Sequence, residues 1–101
     1  MPCATVTVTA PSVESATISG MSVSGGVNTA TLDFTVNNPN SVPVNVDVGY
    51  TVDGSSEGTE TISVSANGSQ SVSRTFEYNL GQGDNDLTSD ICADVQNTVT
   101  Q

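Results

Sequence analysis

The run Val42-Pro43-Val44-Asn45-Val46-Asp47-Val48-Gly49-Tyr50-Thr51-Val52 decides the fold. An apolar side chain stands at every second position, with polar, small or ring-constrained residues between. Only an extended strand, whose side chains alternate between two faces, gathers all the apolar ones on one side. Asp53-Gly54-Ser55-Ser56 then supplies turn chemistry that ends the run. Working outward, the period of two recurs. Ala30, Leu32, Phe34 and Val36 alternate with Thr31, Asp33 and Thr35, and Ile62, Val64 and Ala66 form a third set. Val72, Phe76, Tyr78 and Leu80 form a fourth, and Leu87 to Val95 a fifth. Upstream lie Thr5–Thr9 and a run around Ala16-Thr17-Ile18, continued by Met21 and Val23; a short last strand is expected near Thr98–Thr100. Helical spacing is absent. Asn37-Asn38-Pro39-Asn40-Ser41 and Gly81-Gln82-Gly83-Asp84-Asn85 are further turns, and Asn67-Gly68 between two alternating runs reads as a hairpin.

Seven to eight short strands at this spacing predict an all-β fold, an antiparallel β-sandwich of the immunoglobulin/fibronectin-III-like kind. One such domain accounts for residues 1–101, with no linker or internal repeat. Disorder is the rival reading, because the chain is 35% hydrophobic with a formal charge of −10. It fails because the apolar residues alternate instead of scattering.

Eleven acidic residues stand against one base, Arg74, with no histidine. Like charges this dense repel in dilute buffer, where the screening length is about 10 Å at 0.1 M salt, and far less at about 3 Å in 1 M. An acidic, Ser/Thr-rich surface without lysine therefore suits concentrated brine and a halophilic source. Nucleic acid is not expected as a partner, since one arginine cannot neutralise a phosphate backbone. Nor is membrane insertion, since no run approaches the roughly 18 apolar residues a spanning helix needs.

Candidate sites are few. Arg74 occupies the apolar parity of Val72-Arg74-Phe76, either paired in a salt bridge at the sandwich rim or acting as an interface anchor on an acidic neighbouring subunit. Asp84, Asp86 and Asp90 cluster near glycines, which suits either a solvated turn or a weak Ca²⁺ site. Glu57 and Glu60 beside Gly58 read as ordinary exposed charge on a strand edge. Cys3 and Cys92 both fall on the polar parity of their runs, so neither is placed for a disulfide between sheets. A surface staple joining first strand to last, free thiols and an intermolecular bridge all stay open. Asn67-Gly68-Ser69 is a glycosylation sequon. Without histidine or lysine the usual base-activated nucleophiles cannot be assembled, so no enzyme activity is expected.

The segment Thr29-Ala30-Thr31-Leu32-Asp33-Phe34-Thr35-Val36-Asn37-Asn38-Pro39-Asn40, the long Val42–Gly54 run and Ile62–Phe76 with its Ala66-Asn67-Gly68-Ser69 turn resemble the CARDB-type, fibronectin-III-like adhesion modules of prokaryotic surface proteins. The match covers residues 29–80. Asn38-Pro39 stands where those modules carry a turn glycine, and their late-strand aromatic is missing. The resemblance implies a non-catalytic extracellular or surface module.

Two roles are expected. One is a structural protein on the virion surface, a capsid-decorating or turret subunit of a virus infecting a halophile, with other copies of itself and a capsid or shell protein as partners. The Met1-Pro2-Cys3 start shows neither a basic nor an apolar signal region, and virion subunits are not secreted one by one. Sandwiches of this kind also decorate tailed viruses, an analogy of fold. The alternative is an adhesion or binding module of a cell-surface protein. No cofactor is expected beyond the possible Ca²⁺.

Overall fold

The computed structural model describes residues 2–9 and 12–101. Six strands form, all antiparallel, and no helix is present among the described residues: β1 (Thr17–Gly26), β2 (Thr29–Asn37), β3 (Val44–Val52), β4 (Ser55–Val64), β5 (Ser69–Glu77) and β6 (Ile91–Thr100). They make two three-stranded sheets, β1-β2-β5 and β4-β3-β6. The alternation dictates which face each strand buries. Leu32, Phe34 and Val36 of β2 and Val44, Val46, Val48 and Tyr50 of β3 are buried, joined by Ile62, Val64, Val72, Ile91 and Ala93 in one core shared by both sheets.

Two connections are hairpins within a sheet. Asp53 (φ 51°) and Gly54 (φ 82°) join β3 to β4 as a two-residue turn, and both φ values are positive, as the twist of the flanking strands demands. Val27 and Asn28 join β1 to β2 as a second two-residue turn, in which Asn28 alone takes a positive φ, 58°. The other three connections pass from one sheet to the other. Asn67-Gly68 lies on one of these, so the hairpin expected there is not formed: β4 and β5 belong to different sheets. The left-handed Asn67 (φ 53°) turns a corner instead, held by Asn67 N–H to the Asn40 carbonyl (2.8 Å) and Asn38 N–H to the Gly68 carbonyl (2.9 Å).

Among the described residues Asn38 is the one polar residue that is buried, 3% exposed. Its side-chain amide donates to the carbonyls of Val42 (2.9 Å) and Ser65 (3.0 Å), and its Oδ1 accepts from Asn40 N–H (2.9 Å) and Nδ2 (3.0 Å). Both ends of the amide are thereby satisfied, as burial requires. Asn40 also exchanges hydrogen bonds with the backbone of Glu14 (2.8 and 2.9 Å). One end of the sandwich is thus pinned by a polar knot that includes the residues just before β1.

The count of six departs from the expected seven to eight in two places. The runs at 87–95 and 98–100 contribute to one strand, β6, which starts at Ile91 and shifts register against β3 between Asp47 and Val48. Residues 2–9 enter no ladder and are all exposed, Val6 by 83% and Val8 by 88%. The molecule measures 79 × 29 × 16 Å with a radius of gyration of 18.9 Å, against about 13 Å for a compact domain of this size.

Candidate functional site

A sandwich of two three-stranded sheets has two open sides, and here they differ. On one side β5 of the first sheet meets β4 of the second. Arg74 lies opposite Leu32 on the core face of the edge strand β5, so its guanidinium emerges at the rim. There Arg74 Nη2 bonds Glu60 Oε2 on β4, and Tyr50 Oη donates to Glu60 Oε1. Arg74 Nη1 also donates to the Ser73 carbonyl (2.6 Å). Tyr50 in turn meets Phe34 and Phe76 edge-on, with centroids 6.0 and 6.1 Å apart, the arrangement aromatic quadrupoles favour.

The electrostatics follow from this placement. Burial, then the bond to Glu60, pushes the Tyr50 hydroxyl well above its ordinary value. Burial alone would push the Glu60 carboxyl up, but the hydrogen bonds from Arg74 and Tyr50 outweigh it and hold Glu60 below the usual range. The bond to Glu60 raises Arg74 against the opposing effect of burial. Glu60 is therefore not ordinary edge charge. It is the acceptor that closes this side of the sandwich, and sequence reading missed it because fourteen residues and a change of sheet separate it from Arg74.

The other side, between β1 and β6, is open. Ala16 N–H donates to Thr98 Oγ1 (3.0 Å) at the end near Asn40. Beyond that point an apolar groove of about 520 Å³ runs between Ala16, Ile18 and Met21 on one wall and Ala93 and Val95 on the other. A second cleft, of about 300 Å³, continues past Val23 and Ile91 toward Leu80 and Leu87. Val23 is informative. It sits opposite the fully buried Leu32 and so faces the core, yet it stays 53% exposed. Nothing in the second sheet covers it, since among the described residues no strand lies beyond β6. Tyr78 Oη and Ser89 Oγ, of residues that line the second cleft, are buried without a hydrogen-bond partner.

The remaining candidates fall elsewhere. Asp84, Asp86 and Asp90 are exposed on the connection between β5 and β6. Asp84 Oδ2 accepts from Gly81 N–H (2.6 Å), and Asp90 N–H donates to Asp53 Oδ1 (2.8 Å). Asp84 and Asp90 thus help hold the loop, and no set of three or more acidic, cysteine or histidine side chains among the described residues is gathered as a metal would need. Cys3 and Cys92 are both exposed, the first in the extended segment and the second on the outward face of β6. Asn67 is exposed at its corner, where Ser69 Oγ donates to Asn37 Oδ1 (2.8 Å).

The chain matches no known protein family, and no curated protein is similar to it.

Proposed function

We propose that this chain is a non-enzymatic structural subunit that works in concentrated salt by protein–protein contact in a multi-copy assembly, as an outer-surface, capsid-decorating or turret protein of a virus infecting a halophile. The observation that carries the reading is the open β1/β6 side: a core-facing apolar groove left uncovered on an acidic body whose opposite side is bridged by Arg74 and Glu60. Contiguous exposed apolar surface rimmed by polar residues marks an interaction site. The strongest titratable cluster, Tyr50–Glu60–Arg74, is engaged in holding two sheets together, which supports a role without catalysis.

The finer fold assignment belongs to the same proposal. If β1 to β6 are taken as strands A, B, C, C′, E and F, the orders A-B-E and C′-C-F fit the immunoglobulin/fibronectin-III plan. The resemblance of residues 29–80 to CARDB-type modules supports that plan, and it also favours a second reading, an adhesion module of a halophile cell-surface protein.

Fractionation of producing cells in molar salt separates the two. The first reading expects the chain in released particles, many copies to each, together with a larger shell protein and no nucleic acid bound to the chain itself. Recovery with the cell envelope would support the adhesion module, and recovery as single soluble copies would contradict both.

A further inference from the structure

We propose that residues 4–9 of one copy add as a strand along the outer edge of β6 in the next copy, where they cover the core-facing groove between β6 and β1. The proposal deepens the multi-copy reading and rests on it.

The donor segment has the right form. Ala4, Val6 and Val8 alternate with Thr5, Thr7 and Thr9, a β-competent pattern with one apolar face, yet the segment enters no ladder and both valines are almost fully in water. At about 3.3 Å per residue, residues 2–9 reach roughly 26 Å, against about 33 Å for the ten residues of β6. The acceptor has the matching defect. A strand beyond β6 would lie over β1, whose Met21 and Val23 are exposed although Val23 points toward the core. Added strands take affinity from main-chain bonds and specificity from pockets for alternate side chains, and two clefts follow one another along this side.

Charge selects the same pairing. No charged side chain occurs in residues 1–13 or 15–32, so the extended segment and all of β1 are neutral in a chain of net charge −10. The donor adds no charge to an acidic body and the β1 wall of the groove carries none, so Asp94 of β6 is the one carboxylate among the residues that line it. Both free edges carry one bulge, β1 between Ser19 and Ser22, where Gly20 takes φ 63°, and β6 at Gln96, so the choice of β6 rests on the groove beside it.

Direction is consistent as well. Glu14 is tied to Asn40 at the end of the sandwich where β6 finishes, Thr100 pairing with Val44. A segment leaving that end and entering the next copy from its opposite end, where β6 begins at Ile91, runs antiparallel to β6, like every other pairing in the sheets. The contact is head-to-tail, so it joins copies into a row or a closed ring.

The test is complementation between two full-length variants, followed by sedimentation in concentrated KCl. Val6→Asp/Val8→Asp spoils the donor and keeps the groove; Val23→Asp spoils the groove and keeps the donor. Wild type is expected above its single-chain mass of 10.3 kDa, rising with concentration. Each variant alone is expected at the single-chain mass, and their equimolar mixture at twice that mass and no higher. A synthetic Ala4–Thr9 peptide added to the Val6→Asp/Val8→Asp chain should raise its melting temperature, a readout that does not need Val23→Asp to fold. If the donor variant assembles as well as wild type, strand donation is wrong while assembly stands on another surface. A mixture that stays at single-chain mass, or a peptide without effect, likewise overturns strand donation alone. Wild type at single-chain mass at every concentration overturns both this proposal and the reading beneath it.

Discussion

Replacing Asn38 tests whether the polar knot at one end of the sandwich holds the two sheets in place. The side chain is 3% exposed and makes four hydrogen bonds, two to the carbonyls of Val42 and Ser65 and two from Asn40. Asn38→Ala removes all four and strands two carbonyls. A buried group left unsatisfied costs about 1–3 kcal/mol. The surroundings of these carbonyls are only part-buried, so water recovers some of the loss and about 3 kcal/mol is expected in all. Against a total stability of about 5–15 kcal/mol for a domain, that is a large fraction, and it lowers the melting temperature by roughly 12–20 °C at this chain length. Asn38→Asp is the sharper companion. It keeps the shape and both acceptor functions but turns an acceptor toward two carbonyls, so the acid is favoured protonated in the folded state. Its folded pKa is then raised above the unfolded value of about 3.9, and the variant is expected to be more stable near pH 4 than at pH 7 relative to wild type. Urea melts in molar KCl measure both. A cost below about 1 kcal/mol for Asn38→Ala, or an Asn38→Asp penalty independent of pH, would refute the reasoning.

Three further outcomes are expected. Arg74→Ala should cost only about 1 kcal/mol, because the guanidinium is 42% exposed and its pair with Glu60 is screened; a urea melt showing several times that loss would mean the pair is far better shielded than its exposure allows. Tyr50 is held above its ordinary value in the folded state, so its contribution is complete below about pH 10 and is lost as the pH rises from there toward the folded value. Tyr50→Phe should flatten that alkaline decline, and a decline of equal slope in the variant contradicts the assignment. Finally, thermal melts of wild type should rise from low to molar KCl as repulsion within a −10 chain is screened, and equal melting temperatures would argue against a brine-adapted surface.

Much of the architecture is legible in local pattern. The alternation from Val42 to Val52 places β3 because burial of one face is a period-two signal, and Asp53-Gly54 marks a real hairpin because both residues tolerate positive φ. Asn67-Gly68 carries the same local signal yet serves a corner between sheets, since which sheet the next strand joins is decided by long-range packing. Thr5–Thr9 has strand chemistry but no ladder; a pattern can state fitness for pairing and not the presence of a partner. The rim position of Arg74 follows from its parity beside Val72 and Phe76, whereas its acceptor Glu60 was hidden by the crossing from β4 to β5. Asn38 looked like turn chemistry alone, because nothing local distinguishes an exposed asparagine from one that satisfies two buried carbonyls.

Sedimentation equilibrium of the purified wild-type chain, taken from low salt to molar KCl, addresses the central claim most directly. A structural subunit with an open side should show a weight-average mass that climbs above 10.3 kDa as salt and concentration rise. A constant single-chain mass across the whole series would contradict the account.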